Sequence, residues 1–251
     1  MNKYHIPSIA NTCSIFQLLT TSKKAMSSSA IANELNLPRT SVYRILQTLE
    51  SEGMVQKINN AYIMGHRLIN LGFQVTSHIP ERQLCVPILQ ELTNQTQESS
   101  HFAVLSDTNS LLIEVCDSPQ ALRVASRPGT LADIHCSASG KCFLAFAPEQ
   151  VASDLMDRIT FTQRTNNTHI NKASLMNELP TVRRLGYALD NIEYHENVRC
   201  IAAPVFNGLG QVSGAIGITA STNRFPKSRI PEMSKQVLAA AEQLSQRFGK
   251  H

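Results

Sequence analysis

The sequence contains no apolar run close to the ~18 residues that a membrane span requires. Its first twelve residues, MNKYHIPSIANT, lack the apolar segment of a secretory signal peptide. These absences predict a cytoplasmic protein that does not associate with membranes. The six cysteines are scattered without Cys-x-x-Cys spacing, so we interpret them as reduced thiols and predict no bound metal.

Catalytic motifs are also absent. The chain has no Gly-x-Ser-x-Gly, no glycine-rich phosphate loop and no His-Glu-x-x-His. Asp190 and Glu193 lie on one segment, but they are not tied to a base, and pocket or surface roles explain them better. We therefore predict a protein that is not an enzyme and that carries no cofactor.

Residues 28–53 predict two short helices joined by a tight corner. Asn36 suits the left-handed backbone of a sharp turn, Pro38 suits a helix start, and Gly53 suits the residue after a helix end. Apolar residues recur at helical spacing in both helices. They are Ala30, Ile31 and Leu35 in the first helix and Val42, Ile45, Leu46 and Leu49 in the second.

The spacing of a small residue, a turn residue and a β-branched residue is that of a helix-turn-helix, with Ala32, Asn36 and Val42 at the three places. The start and outer face of the second helix carry side chains that can donate hydrogen bonds to phosphates and base edges. These candidate DNA-binding residues are Arg39, Thr40, Ser41, Tyr43, Arg44 and Gln47. An ordinary helical hairpin with a solvated polar face is the alternative.

The net positive charge lies on the same part of the chain. Residues 1–80 contain seven Lys or Arg and three acids, a net charge of +4, whereas residues 81–251 contain 16 of each. A binding surface for a polyanion needs such a charge. Residues 54–65 predict a hairpin that turns at Asn59-Asn60, a wing with Lys57 near its tip. The alternative of a ligand-binding module without DNA function fits these features less well.

Residues 8–20 predict an opening helix with Ser8 as its N-cap. Its core-facing residues would be Ile9, Cys13, Phe16 and Leu19. Residues 66–80 predict a linker helix that stops near Pro80. The apolar face of this linker is larger than a tether needs, so we expect part of it to pack on another chain.

The rest of the chain predicts a second domain, and the length of 251 residues allows one. An amphipathic helix at residues 82–97 precedes a hairpin that turns at Thr108-Asn109 and a third strand at residues 122–126. The remaining predicted helices start at Ser137 and span residues 149–156, 173–185 and 228–248, and the remaining predicted strands span residues 186–190, 199–206 and 211–220. Mostly antiparallel strands flanked by helices predict an α+β sensor domain.

Four separated stretches occur in a distinctive order: LPRTSVYRILQTLESEGMV, Tyr62-Ile63-Met64-Gly65, SRPGTLADIHCSASGKCFLAF and RRLGYALDNIEYHENVRCIAAPVFNGLGQVSGAIGI. On these stretches the chain resembles the IclR family of bacterial transcription regulators over residues 6–249. The resemblance implies an N-terminal winged helix-turn-helix (residues 1–65), a linker helix (66–80) and a GAF-like mixed α/β domain for effector binding and oligomerisation (81–251). It also implies a homodimer, or a dimer of dimers, on operator DNA.

The resemblance further implies an effector pocket. Carried over by position, its residues are Ala138 and Ser139 (backbone N–H groups), Asp190 (a carboxylate), Cys200 (a packed thiol), and Gly217 and Thr219 on the last strand. Independently, a helix that begins with Ser-Ala-Ser-Gly exposes unpaired N–H groups and the positive end of its dipole, which suits a small carboxylate. The alternative is that these small residues only allow close helix packing.

Asp190 restricts the chemical class of effector that we expect. A carboxylate beside a bound anion would be repelled, so we expect Asp190 to accept hydrogen bonds from ligand hydroxyls. The predicted protein is a repressor of a catabolic operon that responds to a small hydroxylated organic acid, such as one derived from a sugar. Gly217, with Gly214 and Ala215 nearby, predicts a roomier or less polar pocket.

Four residues suggest an alternative to an organic-acid effector. His135, Cys136, Cys142 and Cys200 could approach one another, which would suit a regulator that senses a metal or thiol oxidation. We favour the simpler interpretation, in which these cysteines are small buried apolar residues and His135 is a structural hydrogen-bonding group.

Overall fold

The computed structural model describes residues 4–22, 24–77 and 80–249. The chain divides into two compact units, Met1–His78 and Ile79–His251. Lys3, Lys23 and the last residues of the predicted linker, 78 and 79, lie outside the described residues. None of the helices in the described ranges combines the length and the apolar character that a membrane crossing requires.

The N-terminal unit is a small helical domain with a three-stranded sheet. Its elements are α1 (Pro7–Thr21), β1 (Met26–Ser27), α2 (Ser28–Glu34), α3 (Arg39–Ser51), β2 (Val55–Ile58), β3 (Ala61–Met64) and α4 (His66–Ser77). The strands pair antiparallel in the order β1-β3-β2. The helix-turn-helix and the wing are therefore as predicted, whereas β1 was not predicted because two residues are too short to show an alternating pattern.

Residues with left-handed backbone form the corners of this unit. The backbone angle φ is +51° at Asn36, +68° at Gly53, and +47° and +63° at Asn59 and Asn60. Asn and Gly adopt this conformation more readily than other residues. The predicted corner between α2 and α3, the end of α3 and the two-residue hairpin turn are confirmed.

The core of the unit lies between the first three helices and the sheet. Val42, Leu46 and Leu49 of α3 are buried, as predicted. The predicted face of α1 is right only in part: Leu19 is buried and Phe16 packs on this core as predicted, whereas Ile9 and Cys13 are exposed and Ile15 is buried instead. The segment carries two overlapping apolar stripes at helical spacing, and the one through Ile15 faces the core.

The predicted cap of α1 is also wrong. Pro7 occupies the first turn and Ile6 the N-cap position, so Ser8 lies inside the helix. Proline suits this place because the N–H that it lacks would have no acceptor there. The apolar side of α4 is exposed, including Ile69 (56% exposed) and Val75 (64% exposed).

The C-terminal unit is one antiparallel sheet between two groups of helices. Its elements are α5 (Pro80–Thr96), β4 (Ser99–Ser106), β5 (Asn109–Cys116), β6 (Leu131–Asp133), α6 (Ala138–Phe146), α7 (Glu149–Arg158), α8 (Lys172–Leu185), β7 (Ala188–Asn191), β8 (Val198–Phe206), β9 (Val212–Ser221) and α9 (Ile230–Arg247). The strand order is β6-β5-β4-β9-β8-β7, and neighbours are antiparallel. The predicted α+β class is confirmed.

Two apolar cores lie in this unit. Helices α5 and α9 share one core with the sheet, through residues such as Leu89, Ile216 and Val237. Helices α6, α7 and α8 share the other, through residues such as Phe143 and Leu179. Helix α6 thereby lies against the middle of the sheet.

Two local predictions in this unit are wrong. The hairpin between β4 and β5 turns at Asp107-Thr108, one residue earlier than predicted, and Asp107 has a φ of +51°. Residues 122–126 form no strand, and Leu122 is 84% exposed. The chain hydrogen-bonds to β5 at the left-handed Gly129, whose N–H donates to Leu112 O at 2.7 Å, and β6 then pairs with β5.

Candidate functional site

The outer face of α3 presents four of the six predicted DNA-binding side chains to solvent: Arg39, Thr40, Tyr43 and Arg44 are exposed. Ser41 is half-buried, and so is Gln47. The amide of Gln47 donates to Tyr62 Oη at 3.1 Å and to Glu50 Oε2 at 3.2 Å. Gln47 therefore links α3 to the wing strand β3, a role that its position on the helix did not indicate.

The wing carries Lys57 on β2, opposite Tyr62 of β3. Its side chain is exposed, and Nζ lies 5.8 Å from the centre of the Tyr62 ring. The ring holds the ammonium at the surface without neutralising it. Arg67, in contrast, donates to the carbonyl and the carboxylate of Glu52 at 2.8 and 3.1 Å, so its charge is compensated within the unit.

A cavity of about 190 Å³ lies in the C-terminal unit. It is bounded by the sheet, the start of α6 and the loop before β6. Five of the six predicted effector-binding residues line it: Ala138, Ser139, Asp190, Cys200 and Thr219. The structure thus brings together residues separated by up to 81 positions in sequence.

Gly217 does not line this cavity. It lies two residues before Thr219 on β9, but a Cβ added there would meet the carbonyl oxygen of Ile201 and lie 2.9 Å from Ala202 Cβ. The space left by the missing side chain is therefore filled by β8, and the expectation of a roomy pocket at this position is wrong.

The start of α6 forms one wall of the cavity. Ser137 caps the helix, because its Oγ accepts from Gly140 N at 3.2 Å and donates to Asp133 O at 2.8 Å. Ser139 Oγ lies 2.6 Å from Ser110 Oγ of β5. The N–H groups of Ala138 and Ser139 are in the first helical turn, where no intrahelical acceptor exists. They and the helix dipole make this wall electropositive.

Asp190 contributes the acidic group of the cavity. It is 1% exposed on β7, and its Oδ1 accepts from the backbone N–H groups of Glu193 and Tyr194 at 2.7 and 3.2 Å. Burial raises the pKa of Asp190 to about 7, although the two hydrogen bonds oppose the rise. The carboxyl is therefore held in a fixed position and carries only part of a charge near neutral pH.

His101 is a cavity residue that the sequence did not reveal. It lies on β4 opposite Gly217, and its Nδ1 is 3.4 Å from Thr219 Oγ1, which in turn donates to Cys200 Sγ at 3.3 Å. Burial lowers the pKa of His101 to about 4, so the imidazole is neutral. Only the pairing of β4 with β9 places it here, and that pairing carries no local sequence signal.

The loop between β5 and β6 lines the cavity through Val124, Ala125 and Ser126. Arg224 fixes this loop, since it donates to Leu122 O at 2.8 Å and to both carboxylate oxygens of the buried Glu98 at 2.6 and 2.7 Å. The segment predicted as a third strand is thus a wall of the site.

The four residues of the metal- or thiol-sensing alternative do not form one cluster, because Cys142 and Cys200 are not part of the group that contains His135 and Cys136. Cys142 Sγ donates to Ala202 O at 3.2 Å, and Cys200 lines the cavity. Burial raises the pKa of Cys142 to about 12 and raises that of Cys136 and Cys200 as well. A reactive cysteine needs a thiolate, which burial opposes here.

His135 and Cys136 do lie near a third potential ligand, Asp133, with ligand atoms within 4.8 Å of one another. The carboxylate of Asp133 already accepts from Arg164 Nε at 2.5 Å. His135 Nε2 is 3.1 Å from Thr162 O, while its buried Nδ1 has no partner among the described residues. Because a guanidinium already supplies the positive charge, this geometry does not favour metal sensing.

Comparison with known proteins agrees with this architecture. The family model of the IclR helix-turn-helix domain matches residues 8–58, and the model described as bacterial transcriptional regulator IclR C-terminal matches residues 73–246. The HTH-type transcriptional regulator KdgR of Dickeya chrysanthemi is 27% identical over 97% of this chain and 81% of its own length.

Two solved structures have the same fold. The IclR protein of Thermotoga maritima has a TM-score of 0.75 and 27% identity, over 98% of this chain and 100% of that one. An IclR homolog of Microbacterium hydrocarbonoxydans, complexed with 4-hydroxybenzoate, has a TM-score of 0.80 and 19% identity, over 96% of this chain and 98% of that one. With both domain models matched, the chain belongs to the IclR family of bacterial transcription regulators, which bind DNA through a helix-turn-helix and are not enzymes.

Proposed function

We propose that the protein is a cytoplasmic repressor of a catabolic operon and that a small organic acid, bound in the C-terminal unit, controls it. Residues 1–65 bind operator DNA, residues 66–80 link the domains, and residues 81–251 form a GAF-like domain for effector binding and oligomerisation. One observation carries the proposal. A cavity with one electropositive wall and a fixed buried carboxyl lies in a chain that also carries a winged helix-turn-helix.

On DNA, α3 enters the major groove. Arg39, Thr40 and Ser41 contact the backbone near the helix start, Tyr43, Arg44 and Gln47 face base edges or phosphates, and Lys57 of the wing contacts a phosphate. The exposed cations on α3 and the wing support this assignment, because phosphate contacts supply most of the affinity for DNA. Since Gln47 is held by Tyr62 and Glu50, it reaches DNA only if one of these bonds is released.

The protein acts as a homodimer or a dimer of dimers. Two copies of α3 then occupy successive major grooves, roughly 34 Å apart. The exposed apolar side chains of Ile69 and Val75 on α4 support contact with a second chain, since burying them removes apolar surface from water.

In the cavity, the effector carboxylate accepts from the N–H groups of Ala138 and Ser139, and a hydroxyl of the effector bonds to Asp190. Cys200 and Thr219 pack beside it. The neighbour that contains 4-hydroxybenzoate, itself a hydroxylated carboxylic acid, supports the same ligand class. To regulate, the effector must bind one arrangement of the protein more tightly than another, typically by ~1–3 kcal/mol.

DNA binding is tested by fluorescence anisotropy with a labelled duplex from the intergenic region upstream of the gene. Arg44→Ala is expected to weaken binding about tenfold or more at moderate salt, because it removes a groove or phosphate contact. Arg158→Ala is the matched control, since Arg158 is an exposed arginine of α7 in the other unit. Equal affinity of wild type and Arg44→Ala would contradict the placement of α3 in the groove.

Effector binding is tested by calorimetric screening of hydroxylated acids (glycerate, gluconate and 4-hydroxybenzoate) against acids without hydroxyls (propanoate and benzoate). The hydroxylated acids are expected to bind more tightly, and Asp190→Ala is expected to retain DNA affinity but to lose most of the effector response. Binding only to the acids without hydroxyls would contradict the assigned role of Asp190.

A further inference from the structure

We propose that the cavity selects monocarboxylic acids and rejects dicarboxylic acids, and that Asp190 enforces this selection. The inference rests on the proposed effector function and names a narrower ligand class for the same site. Its basis is the distribution of charge in and around the cavity. The start of α6 can bind one carboxylate of the ligand. A second carboxylate would find no Lys or Arg side chain among the described lining residues with which to pair.

The lining itself contains no permanent cation. Among the residues that the structure describes, no Lys or Arg lines the cavity. Its ionisable residues are His101 on β4, Asp190 on β7, Tyr194 and His195 on the loop after β7, and Cys200 on β8. His101 is buried and neutral, whereas the side chain of His195 lies at the exposed end. The positive pole in the interior is therefore the start of α6.

The cations packed around the cavity are engaged elsewhere. Lys141 lies 2.7 Å from Glu193 and 2.9 Å from Glu178, and Arg164 lies 2.5 Å from Asp133. Arg199 donates to Asn191 Oδ1 at 3.0 Å and to the carbonyl of Phe225. Arg224 donates to both oxygens of Glu98. None of these four side chains lines the cavity.

The start of a helix carries roughly half a positive charge, which suits one carboxylate. Asp190 lines this cavity of about 190 Å³, so a second carboxylate on a ligand bound inside it would share this small space with the Asp190 carboxyl. The backbone N–H groups of Glu193 and Tyr194 hold the Asp190 carboxyl in place, so it cannot turn away. Repulsion between two negative charges is stronger inside a protein than in bulk water.

The test uses pairs of acids that differ by one carboxylate: L-lactate with L-malate, and D-glycerate with L-tartrate. Their dissociation constants are measured by calorimetry at pH 8.5 on the full chain, the Asp190→Asn variant and the Asp157→Asn control. Asp157 is an exposed acid on α7, outside the cavity. Wild type and the control are expected to bind each monoacid at least about tenfold more tightly than its diacid partner. Asp190→Asn is expected to reduce the ratio to about threefold or less by gaining affinity for the diacids.

A second measurement needs no variant. The ratio in the wild type is expected to be smaller at pH 6 than at pH 8.5, because Asp190 takes up a proton between these values while malate and tartrate remain largely dianionic. The proposed selection would be overturned if diacids bound as tightly as monoacids, or if neither Asp190→Asn nor pH changed the ratio of the dissociation constants. Either result would still be consistent with an organic acid as the effector. If none of the four acids bound, both the proposed selection and the proposal of an acid effector would be overturned. The anisotropy measurement of DNA binding would still test the DNA-binding role independently.

Discussion

Nζ of Lys141 lies 2.7 Å from Oε1 of Glu193 and has no exposure to solvent. The same ammonium lies 2.9 Å from Glu178 on α8, and the backbone N–H of Glu193 donates to Asp190 at 2.7 Å. Burial alone would lower the pKa of Lys141, but the two carboxylates outweigh it and raise the pKa above its ordinary value. One lysine of α6 thus joins α8 to the segment that positions the cavity carboxyl.

Replacing Lys141 is expected to destabilise the C-terminal unit. Lys141→Met leaves Glu193 buried and without its cation, so we expect a loss of ~3–5 kcal/mol in the free energy of unfolding of the C-terminal unit. Lys172→Met is the matched control, because Lys172 pairs with the exposed Asp157 and should cost only ~0–1 kcal/mol. Urea unfolding of both variants measures the difference. Equal losses would mean that Lys141 contributes no more than a surface pair.

Asp190 makes the stability of the unit depend on pH. Its pKa is about 7 in the folded chain and near the ordinary 3.8 in the unfolded chain. Below pH 3.8 both states hold the proton, and there is no penalty. As the pH rises to about 7 the unfolded chain loses its proton first, so the folded state loses stability, up to about 4 kcal/mol. Above about pH 7 the penalty is constant.

The Asp190→Asn variant isolates this effect, since the amide oxygen can still accept from Glu193 and Tyr194. We expect the variant to be more stable than wild type, by a margin that grows from pH 5 to pH 7 and then stays level. Urea unfolding at several pH values provides the comparison. A margin that is the same at pH 5 and pH 8 would show that Asp190 is not protonated in the folded state.

Sequence patterns predicted the N-terminal unit well because its corners depend on individual residues. Asn36, Gly53 and the Asn59-Asn60 pair each adopt a backbone conformation that other residues avoid. The face of α1 was predicted only in part because two apolar stripes overlap there, and only packing against α3 and β3 selects the one through Ile15.

The candidate site was predicted only in part. The helix start at Ser137 has a local signal, and resemblance supplied the positions of Asp190 and Thr219. His101 and Lys141 were missed because their roles depend on strand pairing and on ion partners 37 and 52 residues away. Gly217 was wrongly predicted to line the cavity. Alternation along β9 places it on the same face of the sheet as Thr219, but alternation does not show which neighbouring atoms fill the space on that face.

Gly140 allows the start of α6 to approach the preceding chain. An added Cβ would meet the backbone of Ile134 and lie 2.6 Å from the capping Oγ of Ser137. We expect Gly140→Ala to cost about 2 kcal/mol or more through lost capping and overpacking, and to weaken binding of any carboxylate effector. Gly72→Ala is the contrasting change, since nothing lies within 4 Å of its added Cβ in α4 and alanine favours helix by ~0.5–1 kcal/mol. Thermal unfolding of both variants is the measurement, and opposite signs are the expected outcome.

Lys57 and Gln47 are both proposed to contact DNA, but they differ in charge and in their hydrogen bonds within the domain. Lys57 is exposed on the wing, so Lys57→Ala should weaken binding to all duplex sequences alike and make the salt dependence of log K shallower by about 0.9. Gln47→Ala removes no charge and breaks the bonds to Tyr62 and Glu50, so it should lower the unfolding temperature and leave the salt dependence unchanged. Anisotropy titrations between 50 and 200 mM salt, with unfolding scans of the same proteins, distinguish the two. A salt dependence that Lys57→Ala leaves unaltered would place the wing away from the phosphates.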